Sequence, residues 1–137
     1  FRYYWSSDSL TDKDLAYRAN EDGRSSEETI KHIYDLSKII VNSTLKEPNS
    51  RDKEYLSYTE MRKRTLVNLK TAADILRESA DISQYKIIFG DQEIPFWNQV
   101  NGPIADAIWH CGQLVIYRRS TGNPINPKVN HFSGKVN

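Results

Sequence analysis

The stretch IADAIWHCGQLVIY, residues 104–117, decides how this chain folds. Ten of its 14 residues are apolar or glycine, and the four exceptions, Asp106, His110, Gln113 and Tyr117, fall at i, i+4, i+7 and i+11. At about 100° per residue that spacing draws one narrow polar line along a helix that is apolar on its other sides. Such a helix is expected to be buried, with its polar line turned towards the interior of a bundle. Burying an Asp and a His is costly unless they are paired or hold a cation.

Working outward, Asn101-Gly102-Pro103 reads as the start of this helix, since Pro103 in a first turn gives up a donor that has no partner there anyway. Gly122 followed by Pro124 reads as its end, giving a helix over about 103–121 and a polar tail over 123–137. Upstream, the β-branched and aromatic residues of 85–96 surround Gly90-Asp91, a tight-turn dipeptide, and predict a short hairpin that must lie against helices. Ser57-x-x-Glu60 caps a helix over about 58–79, with Met61, Thr65, Leu69, Ala72 and Leu76 on one face. Ser25-Ser26-Glu27-Glu28 has capping-box form and opens a helix to about Thr44, carried by Ile30, Ile33, Ser37, Ile40 and Val41. Phe1, Tyr4, Trp5 and Asp8 share helical spacing and read as the last part of a first helix, while 10–24 reads as a connection. The expectation is one all-α domain over 1–137, a four-helix bundle with a small hairpin before the last helix.

Composition narrows the function classes. Leu, Ile, Val and Phe make up 32 of 137 residues, about 23%, enough for one modest core. Nineteen basic and eighteen acidic side chains leave a formal charge of +1, so no single-sign field is available for a polyanion or an acidic membrane. Nucleic-acid and membrane partners are therefore not expected, and the longest hydrophobic run, with tyrosine counted, is the four residues Leu114 to Tyr117. The single Cys111 excludes an internal disulfide framework and a cysteine-cluster metal site. Phe1 in place of an initiator methionine suggests a trimmed chain, which leaves export and a cytoplasmic location both open.

Asp106-x-x-x-His110 is metal-ligand spacing, because side chains at i and i+4 can converge on a point between helices. His32, beside Ile33 at the edge of the apolar arc of its helix, is a reasonable third ligand. On the residues alone, a buried Asp106–His110 hydrogen bond with an unrelated surface His32 serves equally well. Arg62-Lys63-Arg64 projects in three directions and reads as a solvated face. Cys111 reads as a small core residue, His131 as a solvated residue of the tail, and Phe96, Trp97 and Trp109 as packing rather than pocket lining. No phosphate-binding glycine loop, Gly-x-Ser-x-Gly elbow or His-Glu-x-x-His helix is present.

The run DAIWHCGQLVIYRRSTGNP (106–124), with ETIKHI (28–33) on an earlier helix, resembles the DinB-like superfamily of four-helix metalloproteins. Members commonly carry one His on the second helix, then His-x-x-x-His followed by x-Gly-Gln on the last, the three histidines holding one divalent metal. His32 matches the first ligand, His110 the last, and Cys111-Gly112-Gln113 the x-Gly-Gln. Asp106 stands where the common form has histidine, which makes the site more anionic and somewhat harder. The resemblance implies a divalent metal, zinc, nickel or iron, held by His32, Asp106 and His110. Gln113, Tyr117 and Arg118 would be orienting or substrate-contacting residues.

Some relatives are transferases or isomerases that use a low-molecular-weight thiol such as bacillithiol, mycothiol or glutathione. The implied function is a metal-dependent transferase or hydrolase acting on a small molecule, with a homodimer as the expected association. The alternative is a non-catalytic bundle that binds a metal or ligand, or associates with other proteins under stress.

Overall fold

The computed structural model describes residues 1–50 and 54–137. The described chain is mainly helical, with two small antiparallel strand pairs. In chain order the helices are α1 (Arg2–Ser6), α2 (Asp12–Ala16), α3 (Ser26–Leu45), α4 (Tyr58–Glu78), α5 (Phe96–Gln99) and α6 (Ala105–Ser120). Strands β1 (Ile87–Phe89) and β2 (Gln92–Ile94) form the first pair, β3 (Val129–Asn130) and β4 (Lys135–Val136) the second. No helix among the described residues is long and apolar enough to cross a membrane. Packing divides the chain into two compact units, 1–32 with 108–137, and 33–107, with the divisions falling inside the continuous helices α3 and α6.

In the first unit, α3 starts as its sequence predicts. The Glu28 N–H donates to Ser25 Oγ at 3.1 Å and the Ser25 N–H to Glu28 Oε2 at 2.7 Å, satisfying two donors that a helix start leaves without partners. The segment expected to be a plain connection contains α2, capped reciprocally by Thr11 and Asp14. Thr11-x-x-Asp14 is a capping box with Asp in place of the usual Glu. The end of α6 is a Schellman closure: Gly122 sits at φ 88°, the Asn123 N–H reaches Arg118 O at 2.8 Å and the Gly122 N–H reaches Arg119 O at 3.2 Å. The residues read as a polar tail fold into the β3–β4 pair. Its turn is held by Asn130 Oδ1, which accepts from the N–H groups of Phe132 and Ser133, each at 3.0 Å.

The second unit has a small core of Ile40, Val41 and Ala72, with Leu69 and Ile104 packed on it. Ser57 caps α4 by accepting from the Glu60 N–H at 3.3 Å. Arg64 of the basic triplet is an ion-pair partner of Glu60 and Glu54 on the surface. The predicted hairpin is present, with Ile87 opposite Ile94 and Phe89 opposite Gln92, so that Gly90-Asp91 is a two-residue turn with Gly90 at φ 56°. Asn49 ties it down by donating from both its backbone N–H and its side chain to Ile88 O, at 2.9 and 3.1 Å.

The helix expected to begin at Pro103 has a longer approach. Helix α5 continues through a wide π turn over Val100–Ile104, broken at Gly102 (φ −99°, ψ −106°), before α6 begins at Ala105. Pro103 has no N–H for a helical bond, and Gly102 can take up a ψ that other residues resist. A second expectation also changes. Ile108, Trp109 and Ile116 are 50%, 71% and 59% exposed, so α6 is buried on one side only. Its inward face carries Ala107, His110, Cys111, Leu114 and Arg118.

One buried carboxylate joins the ends of α2 and α6. Asp14 is 2% exposed and accepts from the Thr11 N–H and hydroxyl and from Asn123 Nδ2, each at 2.8 Å, and from the Thr121 hydroxyl. Burial alone would push its carboxyl up. The hydrogen bonds from Thr121, Asn123 and Thr11 outweigh that and hold it well below the usual carboxylate range. A lowered folded-state pKa stabilises the fold above the unfolded value of about 4, and that contribution is lost as pH falls below it. Asp14→Ala is expected to destabilise by about 2–4 kcal/mol at neutral pH, because it leaves several inward donors without an acceptor. Denaturant unfolding at pH 7 and across the acid range measures this, and the gap between wild type and variant should narrow as pH falls below about 4. A pH-independent gap would assign Asp14's contribution to packing.

Candidate metal centre

Helix α6 carries Asp106, His110, Gln113 and Tyr117 in line, as the spacing requires, and α3 carries His32. His32 and His110 meet edge to face, with ring centroids 4.7 Å apart and planes at 87°. Asp106 precedes His110 by one turn of the same helix. Ligand-type atoms of His32, Asp106 and His110 all lie within 4.8 Å of one another. His110 is 7% exposed, while His32 and Asp106 are half-buried.

The donor set suits a divalent ion. Two imidazoles and a carboxylate are the combination found at zinc sites and at non-haem iron sites that keep positions open. Metal–ligand bonds of about 2.0–2.2 Å put tetrahedral ligand atoms about 3.4 Å apart, so the side chains would close by roughly an ångström around an ion. His110 already has one nitrogen committed, since Nδ1 lies 2.6 Å from Gln113 Oε1. The tautomer that suits this contact donates from Nδ1 to the Gln113 carbonyl oxygen and would leave Nε2 as the nitrogen to bind a metal. Gln113, one turn on from His110, therefore fixes the tautomer and the ring's orientation.

The other sequence candidates are distributed as follows. Tyr117 remains on the same line, one further turn along, and its ring lies 5.4 Å from that of Tyr17 at 60°. Tyr17 was not legible as a site neighbour, because the helix it ends, α2, was read as irregular. Arg118 is not brought to the histidines. Its guanidinium, 5% exposed, donates from Nε to Asn123 O at 2.7 Å and from one Nη to Trp5 O at 2.8 Å and to Ser6 O at 3.4 Å. Its other Nη donates to Asn123 Oδ1 at 3.2 Å. That is a tie between α1 and the end of α6, made with backbone carbonyls.

Cys111 is buried, and burial pushes its thiol up, away from thiolate reactivity. Trp97 and Trp109 are 72% and 71% exposed, so neither is core packing. His131 is half-buried rather than solvated, with its ring 6.0 Å from that of Phe1 in an edge contact. No protein-family model, curated protein or solved structure matches this chain.

Proposed function

We propose that this chain is a DinB-like four-helix-bundle metalloprotein, and that His32, Asp106 and His110 hold a divalent ion serving a transferase or hydrolase reaction on a small molecule. The observation that carries the reading is the convergence of these three side chains, with His110 Nδ1 2.6 Å from Gln113 Oε1. A bound divalent ion with an open position supplies a centre at which a thiol or a water becomes nucleophilic near neutral pH. The chain's own residues do the rest. Asp106 supplies the one formal negative charge of the three-ligand set. Gln113 holds His110 in the binding tautomer, and Tyr117, braced by Tyr17, offers a phenol one turn further along the same face for orienting substrate.

Purified wild-type protein is expected to carry close to one divalent ion per chain by elemental analysis, most simply zinc, iron or nickel. His110→Ala should lose it. A wild-type protein that stays metal-free after incubation with each of these ions would overturn the reading and leave a buried hydrogen-bonded cluster. Gln113→Leu should keep the fold but weaken metal affinity by roughly 10–100-fold, the usual effect of removing a residue that orients a ligating His. Competition with a chelating dye measures this, and unchanged affinity would remove Gln113 from the site. Consumption of glutathione or bacillithiol with an electrophilic acceptor, dependent on the metal and absent in His110→Ala, is the expected activity. Metal loading without turnover across several thiols and ester substrates would favour a non-catalytic metal-binding role.

A further inference from the structure

The side of α6 opposite the histidine line borders a second, independent cavity. Ile108, Gly112, Val115, Ile116 and Arg119 lie about 140–240° around the helix from His110 at 100° per residue, whereas Asp106, Gln113 and Tyr117 lie within about 60° of it. With Arg2 of α1 and His131 of the β3–β4 turn they enclose a cavity of about 230 Å³, to which Cys111 also contributes. The walls are aliphatic, and the half-exposed Ile108 and Ile116 leave the cavity open on one side.

Its charge is one-sided. Arg2 and Arg119 both line it and no acidic side chain does. Elsewhere Arg18, Arg64 and Arg77 each pair with a carboxylate. Arg119 has no ion pair or hydrogen bond among the described residues, and Arg2 makes a single donation, to His131 O at 3.3 Å. Burial, and after it the charge of Arg2, pushes the His131 imidazolium down, so that its ring is neutral and adds no further charge at neutral pH. Two guanidinium groups at an aliphatic cavity, with no protein carboxylate between them, have the chemistry of a receptor for an anion with an apolar body.

We propose that this cavity binds a small free carboxylic acid with an apolar body, its carboxylate on Arg2 and Arg119 and its hydrocarbon against Ile108, Val115 and Ile116. The aliphatic side chains of Ile108, Val115 and Ile116 disfavour a bare inorganic anion. The site lies on the opposite side of α6 from His110 and needs no metal.

Benzoate is the probe, titrated into the whole protein by calorimetry and by amide chemical shifts of Cys111, Gly112 and Val115. Saturable binding with Kd on the order of 1 mM or tighter is expected, with shifts centred on those residues. Arg119→Gln, a change at an exposed side chain, should weaken it about five- to tenfold, and Arg2→Gln together with Arg119→Gln should abolish it. Benzyl alcohol and inorganic phosphate should each bind at least tenfold more weakly than benzoate. His110→Ala should bind benzoate as wild type does, which separates this site from the metal centre whatever that centre proves to hold. No saturable shift at these amides, equal binding of benzyl alcohol or phosphate, or loss of benzoate binding in His110→Ala would each overturn the proposal.

Discussion

A buried imidazole has two nitrogens to account for, and that requirement organises α6. His110 is almost wholly inside, and its Nδ1 is in hydrogen-bond contact with Gln113 Oε1. The ring meets His32 edge to face, and ligand-type atoms of His32, Asp106 and His110 lie within 4.8 Å of one another. Leaving a polar atom of this kind without a partner costs about 1–3 kcal/mol, which is why clusters of such groups are either closed hydrogen-bond networks or ligand sets. The rest of the helix accommodates that demand. Asp106, His110, Gln113 and Tyr117 take up one line, the inward apolar positions beside them are kept to Ala107, Cys111 and Leu114, and the bulky Ile108, Trp109 and Ile116 are turned outward.

A helix so committed along its length has to be held at its ends, and its C-terminal end is built with polar contacts. At the C-terminal end, Gly122 closes the last carbonyls, Arg118 ties the final turn to the carbonyls of Trp5 and Ser6, and Asp14 gathers Thr121 and Asn123. At the other end the π turn and the Gly102 break set where α6 begins, and therefore the rotational phase in which Asp106 and His110 emerge. π turns are often found beside functional sites, and here the turn lies two residues before Asp106.

What could be read from the sequence was what is decided within one or two turns of chain. The Ser25 and Ser57 caps, the Gly90-Asp91 turn and the Gly122 closure depend on neighbours three to five residues away, and each stands where its residues implied. Helical period alone puts Asp106 and His110 on one face, whereas the pattern left His32 equally readable as a third member or as an unrelated surface residue, since a contact between helices is not written in either one. The misses have a common cause. Helix α2 and the β3–β4 pair are five and two residues long, too short to show a period. The Thr11-x-x-Asp14 box and the Asn130…Gly134 turn residues were the only local signs of them. Arg118 next to Arg119 gave no hint that one guanidinium would be buried against carbonyls and the other left outside, because that difference depends on contacts more than 100 residues away in sequence. The exposure of Trp109 and Ile116 is likewise a matter of what packs on α6, which periodicity does not encode.

Under the proposed reading, the placement of the arginines bears on which substrates the metal centre can take. A carboxylate-bearing thiol would need a cation within reach of its far end while its sulfur sat beside His110. Arg118 cannot serve, because its donors are spent on Trp5, Ser6 and Asn123. Arg119 cannot serve either, since nine residues at 100° place it about 180° around the helix from His110. The groups that do lie on the site's side of α6 are Gln113 and Tyr117, the latter braced by Tyr17, and these are hydrogen-bonding and aromatic rather than cationic. Asp106 acts in the same direction: one carboxylate among the ligands reduces the net charge of the loaded centre by one relative to three histidines, and so weakens its pull on anions. Under this reading the side chains that α6 itself offers beside the histidines are a phenol and an amide, so the carboxylate of a thiol substrate would need a cation from an element other than α6.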